Sequence, residues 1–179
     1  MSDAKHMTAR DTRLDMPVTA SALRDIGLFG ALSDDVLEHL AASLKTRRVQ
    51  AGESIFREGE PAREMYVVLD GEFEVVKKSR RGRDTRVAIL GPADAFGEMS
   101  VIDMQNRSAS VRALAPSRLL RMTTEDMDSL YRFDLKAYAL IVLNIARDLS
   151  RRLRVTDGIL ADFAASVLDE YVVAGGSRK

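Results

Sequence analysis

Met65-Tyr66-Val67-Val68-Leu69-Asp70-Gly71-Glu72-Phe73-Glu74-Val75-Val76-Lys77-Lys78 is the stretch on which the fold turns. A β-prone run at 65–69 leads into an Asp-Gly pair, and a second run returns from it. Asp-Gly supplies the positive φ that a tight turn needs, so the stretch reads as a hairpin. In the returning run Phe73 and Val75 share one face, while Glu72, Glu74 and Val76 share the other. Outward from the hairpin, the same texture extends from Arg47 to Thr123, with Gly52, Gly59, Gly71, Gly82, Gly91 and Gly97 as punctuation. Arg80-Arg81-Gly82-Arg83-Asp84 forms a second turn signal, followed by a run from Val87 to Leu90. Val111 and the run from Leu119 to Met122 mark the last strands. Many short strands at this spacing predict a sandwich or barrel.

Helical periodicity frames the β region on both sides. Ser33-Asp34-Asp35 is a helix start: Ser33 can cap free N–H groups, and the two acids suit the positive end of the dipole. Val36, Leu37, Leu40, Ala41 and Leu44 then recur at helical spacing, with an end expected near Lys45. A shorter helix is expected at 22–26, ended by Gly27. Thr124-Glu125-Asp126 resembles another start, and a further helix begins near Leu135. There Val142, Ala146, Leu149, Leu153, Thr156, Leu160, Phe163 and Val167 step by four and three residues. That heptad-like seam suits packing along a second helix, so a homodimer through this helix is expected; packing on its own domain is the plainer alternative. Gly158 weakens the helix and suggests a bend.

Composition narrows the function classes. Lys plus Arg is 27 and Asp plus Glu is 27, so the whole chain offers no electrostatic footprint for nucleic acid or an anionic membrane. The absence of cysteine rules out disulfides, Cys-ligated zinc, iron–sulfur clusters and a thiol nucleophile. No apolar run reaches the ~18 residues of a membrane span. Residues 1–20 are polar and mixed in charge, without the apolar core of a signal peptide. A cytoplasmic location follows as an expectation. His6 and His39 are the only histidines, too few for a histidine-based metal site or a convincing Ser–His pair. No catalytic residues, no metal and no cofactor are therefore expected, and the chain is not read as an enzyme.

Phe96-Gly97-Glu98-Met99-Ser100-Val101-Ile102-Asp103-Met104-Gln105-Asn106-Arg107-Ser108-Ala109-Ser110-Val111 carries the functional signal. Gly97 lets backbone approach a ligand without a Cβ clash. Residues 98–102 can make about one helical turn, whose first N–H groups would face an anion. Arg107, just past that turn, could fork onto two oxygens of a phosphate or carboxylate. Glu98 can accept from a sugar hydroxyl. Taken singly, Arg107 also fits a salt-bridged surface role and Glu98 a helix-start acid. An acceptor and an anion-binding cation on one turn suit a ribose phosphate.

This stretch resembles the phosphate-binding cassette of the cyclic nucleotide-binding domain family, which includes bacterial catabolite activators, protein kinase A regulatory subunits and cyclic-nucleotide-gated channels. The matching residues are Phe96-Gly97-Glu98 and Arg107-Ser108-Ala109. Leu28-Phe29, Ala51-Gly52-Glu53, Glu58-Gly59, Asp70-Gly71-Glu72 and Leu90-Gly91-Pro92 extend the likeness over about residues 22–156. The resemblance implies a mostly β fold with flanking helices: a β jelly roll (double-stranded β-helix) with N-terminal helices and a long C-terminal helix. The expected parts are a flexible tail at 1–20, the jelly roll with its N-terminal helices at 21–134, a lid or dimerisation helix at 135–173, and a disordered tail at 174–179.

The resemblance also implies roles. Arg107 would pair with the cyclic phosphate and Glu98 would accept from the ribose 2′-hydroxyl. Backbone N–H groups of Gly97, Met99, Ser108 and Ala109 would complete the cradle. Ser108 followed by Ala109 is similar to the cAMP-binding members, so cAMP is placed ahead of cGMP. Arg151-Arg152-Leu153-Arg154-Val155-Thr156 resembles the segment whose Thr contacts adenine, which would give Thr156 that role; the alternative is a polar residue tolerated in the seam. Asp157 departs from the pattern. Fewer than 25 residues follow Thr156, short of a helix-turn-helix domain, so a stand-alone receptor without direct DNA binding is expected, signalling to an unknown protein partner. A dimeric scaffold with a degenerate pocket is the competing reading.

Overall fold

The computed structural model describes residues 17–176, with side chains described to residue 167. The expected tail at 1–20 lies mostly outside this range, as do residues 177–179. The described chain forms two compact units divided between Ile141 and Val142.

The first unit opens with α1 (Ala20–Arg24), capped by the Thr19 side chain, which accepts from the Ala22 N–H at 3.2 Å. The helix expected at 22–26 with Gly27 as its end instead starts at Ala20 and stops at Arg24, capped by Asp25, and Gly27 begins a separate 3-10 turn over Gly27–Phe29. Helix α2 (Asp34–Ser43) follows. Ser33 holds the N-cap position, but its side chain makes no capping bond, so that expectation fails. The two acids of the first turn remain to favour the helix start. Eight strands come next: β1 (Lys45–Val49), β2 (Ser54–Phe56), β3 (Glu64–Asp70), β4 (Phe73–Lys78), β5 (Asp84–Leu90), β6 (Ala95–Phe96), β7 (Ser110–Ala113) and β8 (Ser117–Thr123). Helix α3 (Met99–Ile102) lies between β6 and β7, and α4 (Thr124–Phe133) follows β8. The cap of α4 sits one residue before the expected start. Thr123 and Asp126 form a reciprocal capping box, each side chain meeting the other's backbone N–H.

All strand pairings are antiparallel, in two four-stranded sheets ordered β1-β8-β3-β6 and β2-β7-β4-β5. Consecutive strands repeatedly land in opposite sheets, and the two sheets enclose one core: the fold is a β jelly roll. The hairpin read from the sequence is β3 and β4, split between the sheets rather than paired in one. Gly71 makes that crossing possible: its φ is +97°, and a Cβ there would lie 1.9 Å from the Ser117 hydroxyl oxygen. Between the sheets pack Val49, Ile55, Phe56, Tyr66, Val68, Phe73, Leu90, Phe96, Val111, Ala113 and Leu119, with Val75 beside them. Met65 and Val67, on the opposite face of β3, are buried as well. A strand buried on both faces explains the unbroken apolar run at 65–69.

Helix α5 (Leu135–Gly176) starts where expected and continues through Gly158 and past residue 173. Its first two turns belong to the first unit, where Ala137 and Ile141 are buried. The second unit, from Val142 onward, is the rest of this helix. Leu153, Thr156, Leu160, Phe163 and Val167 of the seam are all exposed. Among the described residues no helix is long and apolar enough to cross a membrane.

Candidate functional site

The site is assembled from three segments of the jelly roll: the loop between β2 and β3, the β6–α3–β7 segment, and the end of β4. Strand β6 delivers Gly97 with a left-handed φ of +78°. A Cβ at that position would sit 2.5 Å from Nη1 of Arg107, so both conformation and space require glycine. Glu98 holds the N-cap position of α3 but makes no capping bond with its side chain. Its carboxylate is therefore not spent on the helix start, although the residue is only 4% exposed.

Arg107 is placed by its own backbone. The Gly59 N–H donates to its carbonyl at 2.8 Å, and its N–H donates to the Glu60 carbonyl at 2.9 Å. The side chain then turns inward and is also 4% exposed. Nη1 donates to the Gly97 carbonyl at 3.1 Å, and Cζ lies 3.9 Å from the centroid of the Phe56 ring. Nε is buried and has no hydrogen-bond partner. Burial pulls this guanidinium below its ordinary pKa, while Tyr66, Glu64, Glu60 and Glu98 work in the opposite direction. A buried cation with an unused donor is costly unless an acceptor arrives, and an anion is the acceptor that relieves most of that cost.

The rest of the segment is fastened around Arg107. The Ser108 carbonyl accepts from Lys77 Nζ at 2.7 Å, and the Ser108 hydroxyl lies 3.8 Å from the Met99 sulfur. Lys77 faces Glu58 at 3.9 Å, and Glu58 in turn accepts from the Lys78 N–H at 3.0 Å. The Glu58 N–H donates to the Ser110 hydroxyl at 2.9 Å. Ala109 is half-buried between these ties. Deeper in the roll, the Tyr66 hydroxyl donates to Glu64, whose other carboxylate oxygen accepts from Arg121 Nε. Arg47 pairs with Glu53 at 3.0 Å. Burial acts to raise the Glu64 carboxyl, but the bonds from Tyr66 and Arg121 and the charges of Arg121 and Arg107 outweigh it and hold Glu64 below its usual range. Tyr66 is pushed up, by burial first and by its bond to Glu64 second.

Six of the expected site residues, Gly97, Glu98, Met99, Arg107, Ser108 and Ala109, thus sit in one segment, where Gly97 meets Arg107 and Met99 meets Ser108. Thr156 belongs to the other unit; it is exposed, and its hydroxyl donates to the Arg152 carbonyl at 2.9 Å. Sequence reasoning missed Phe56, Glu60, Glu64 and Lys77. A lone Phe in a three-residue strand and a Lys at a hairpin end carry no signal of the partners they meet after folding. Among the described residues no group of three or more His, Cys, Asp or Glu could hold a metal ion.

Comparison with known proteins gives a consistent picture. The family profile described as cyclic nucleotide-binding domain matches residues 46–133. The chain is 31% identical over 136 residues to the CRP-like cAMP-activated global transcriptional regulator of Mycobacterium tuberculosis, covering 76% of this chain and 59% of that protein. It is 32% identical over 130 residues to the cyclic AMP receptor protein of Thermus thermophilus, covering 73% of this chain and 58% of that protein. The chain thus spans about three fifths of the length of these relatives. Among solved structures, the Thermus thermophilus catabolite activator protein superposes with a TM-score of 0.68 at 31% identity, over 77% of this chain and 63% of that one.

Proposed function

Because the chain belongs to the cyclic nucleotide-binding domain family, we propose that it is a receptor for a 3′,5′-cyclic purine nucleotide, with cAMP preferred to cGMP. The observation that carries this reading is the buried Arg107, with Nε lacking an acceptor, beside a second buried charge of opposite sign, Glu98. A cyclic phosphate attached to a ribose offers an anion to the one and a hydroxyl donor to the other. Arg107 takes the phosphate oxygens, and Glu98 accepts from the 2′-hydroxyl. The N–H groups of Gly97, Met99, Ser108 and Ala109 close around the phosphate.

The preference for cAMP draws on the Ser108-Ala109 pair and on the cAMP-linked names of the two relatives. Thr156 is assigned to the adenine edge. The seam from Leu153 to Val167 is assigned to a homodimer: its side chains are exposed, and an uncovered apolar row on a helix of 42 residues favours association. Ligand binding repositions the helix and passes the signal to a protein partner. It can do so only to the extent that the ligand prefers one helix position over the other.

Calorimetric titration with cAMP and cGMP tests the reading. Saturable binding, stronger for cAMP, is expected. Arg107→Ala should weaken it by about a hundredfold or more, since two charge-assisted hydrogen bonds contribute roughly 1.5–3 kcal/mol each. Glu98→Ala should weaken cAMP binding but leave 2′-deoxy-cAMP nearly unaffected. Silence of the wild-type protein toward both nucleotides, with a stable dimer, would replace the receptor by a scaffold.

A further inference from the structure

What holds Arg107 in place before any ligand arrives is a separate question from what it binds. Burial works against its charge, and the Gly97 carbonyl takes one hydrogen from Nη1. A guanidinium fixed by one bond at one corner can still swing about that bond. The remaining constraint is a flat surface. Phe56 is itself buried at 9% exposure, and its ring lies beneath the guanidinium with Cζ 3.9 Å from the centroid. The ring cannot drift, because it is wedged against two other aromatics: Phe96 at 5.9 Å between centroids and Tyr66 at 6.4 Å. Phe96 is held in turn by Phe73 and Tyr66 at 5.6 and 5.4 Å.

We infer that Phe56 is a positioning residue for the anion site: its ring is the platform that fixes the orientation of the Arg107 guanidinium plane, with the Nε edge ready for a phosphate oxygen. The inference rests on the receptor reading above for the identity of the anion. The ring quadrupole attracts a cation over its face, and the attraction grows where water is excluded, as it is here. It therefore offsets part of the burial that acts against the charge. Because the arrangement exists before binding, the ligand does not have to order the guanidinium, and that saving appears as affinity.

Two measurements on the full chain test this. The first needs no ligand. In 1H–15N spectra the Arg107 Nε–H should resonate upfield of the other arginines, because its guanidinium carbon lies over a ring, and should exchange slowly with water. Phe56→Leu should move it downfield and speed its exchange. An Arg107 Nε–H at the ordinary position and in fast exchange in the wild-type protein overturns the platform, whatever the nucleotide results. The second is affinity for cAMP. Phe56→Leu should weaken binding about three- to tenfold. Phenylalanines with successively more ring fluorines at position 56, which keep the shape but drain the π face, should weaken it in graded steps. In an Arg107→Gln background, titrated at raised nucleotide concentration, Phe56→Leu should cost little more. Equal losses in both backgrounds, or no response to fluorination, would mean that Phe56 is core packing alone. If the wild-type protein binds no cyclic nucleotide, the receptor reading fails, and the ligand-free spectrum still decides the platform.

Discussion

Gly97 carries two constraints at once, and a single methyl group tests both. Gly97→Ala adds the strain of a left-handed φ, about 1–2 kcal/mol for an L-residue, and drives a Cβ toward Arg107 Nη1. The expected outcome is a loss of stability of at least that size in denaturant unfolding, together with a drop in nucleotide affinity of tenfold or more. Glu64 makes a different prediction. Its carboxyl is held below the usual range in the folded state, so the stability it confers is present above its unfolded pKa and is lost as pH falls through the folded value. Glu64→Gln should therefore lower the Tm at neutral pH, with the gap to wild type closing below about pH 4. A gap that is constant with pH would mean that the Tyr66–Glu64–Arg121 cluster acts through packing rather than charge.

At the scale of elements, the part of the fold that could be read was the part whose side chains obey one rule. The apolar run at 65–69 and the Asp70-Gly71 pair announced β3, the turn and β4, and the four-three stepping from Val142 announced α5. Strand β1 hid because Lys45-Thr46-Arg47-Arg48-Val49 has only one apolar member; its inward Arg47 is satisfied by Glu53, a partner that folding supplies. Ser33 misled for a related reason: capping depends on a side-chain torsion that the sequence does not specify. The seam of α5 allows a test at this scale. Phe163→Glu, at a residue 65% exposed in the single chain, should change the intrinsic stability of the domain by no more than about 0.5 kcal/mol. It should also shift the sedimenting species from dimer to monomer. A wild-type protein that sediments as a monomer at all accessible concentrations would remove the dimer assignment.

For the whole molecule, nucleotide binding and folding are one equilibrium. A ligand that binds only the folded state at a hundred times its Kd adds about 2.7 kcal/mol of apparent stability. cAMP should therefore raise the Tm of the wild-type protein in a concentration-dependent way and leave Arg107→Ala unmoved at the same concentrations. The residues proposed to hold the ribose phosphate were legible because they lie together in the chain, between Gly97 and Ala109. Their supports were not, because Phe56, Glu60, Glu64 and Lys77 come from β2, the β2–β3 loop, β3 and β4 and meet the cassette only in three dimensions.

The pair of amide links joining Gly59 and Glu60 to the two sides of the Arg107 peptide has one further consequence. A rung of that kind makes the β2–β3 connection a passenger of the arginine, so whatever steadies the one steadies the other. Deuterium uptake at the amides of Gly59 and Arg107 should slow in step as the pocket fills, turning a stretch that touches no nucleotide into a gauge of its occupancy.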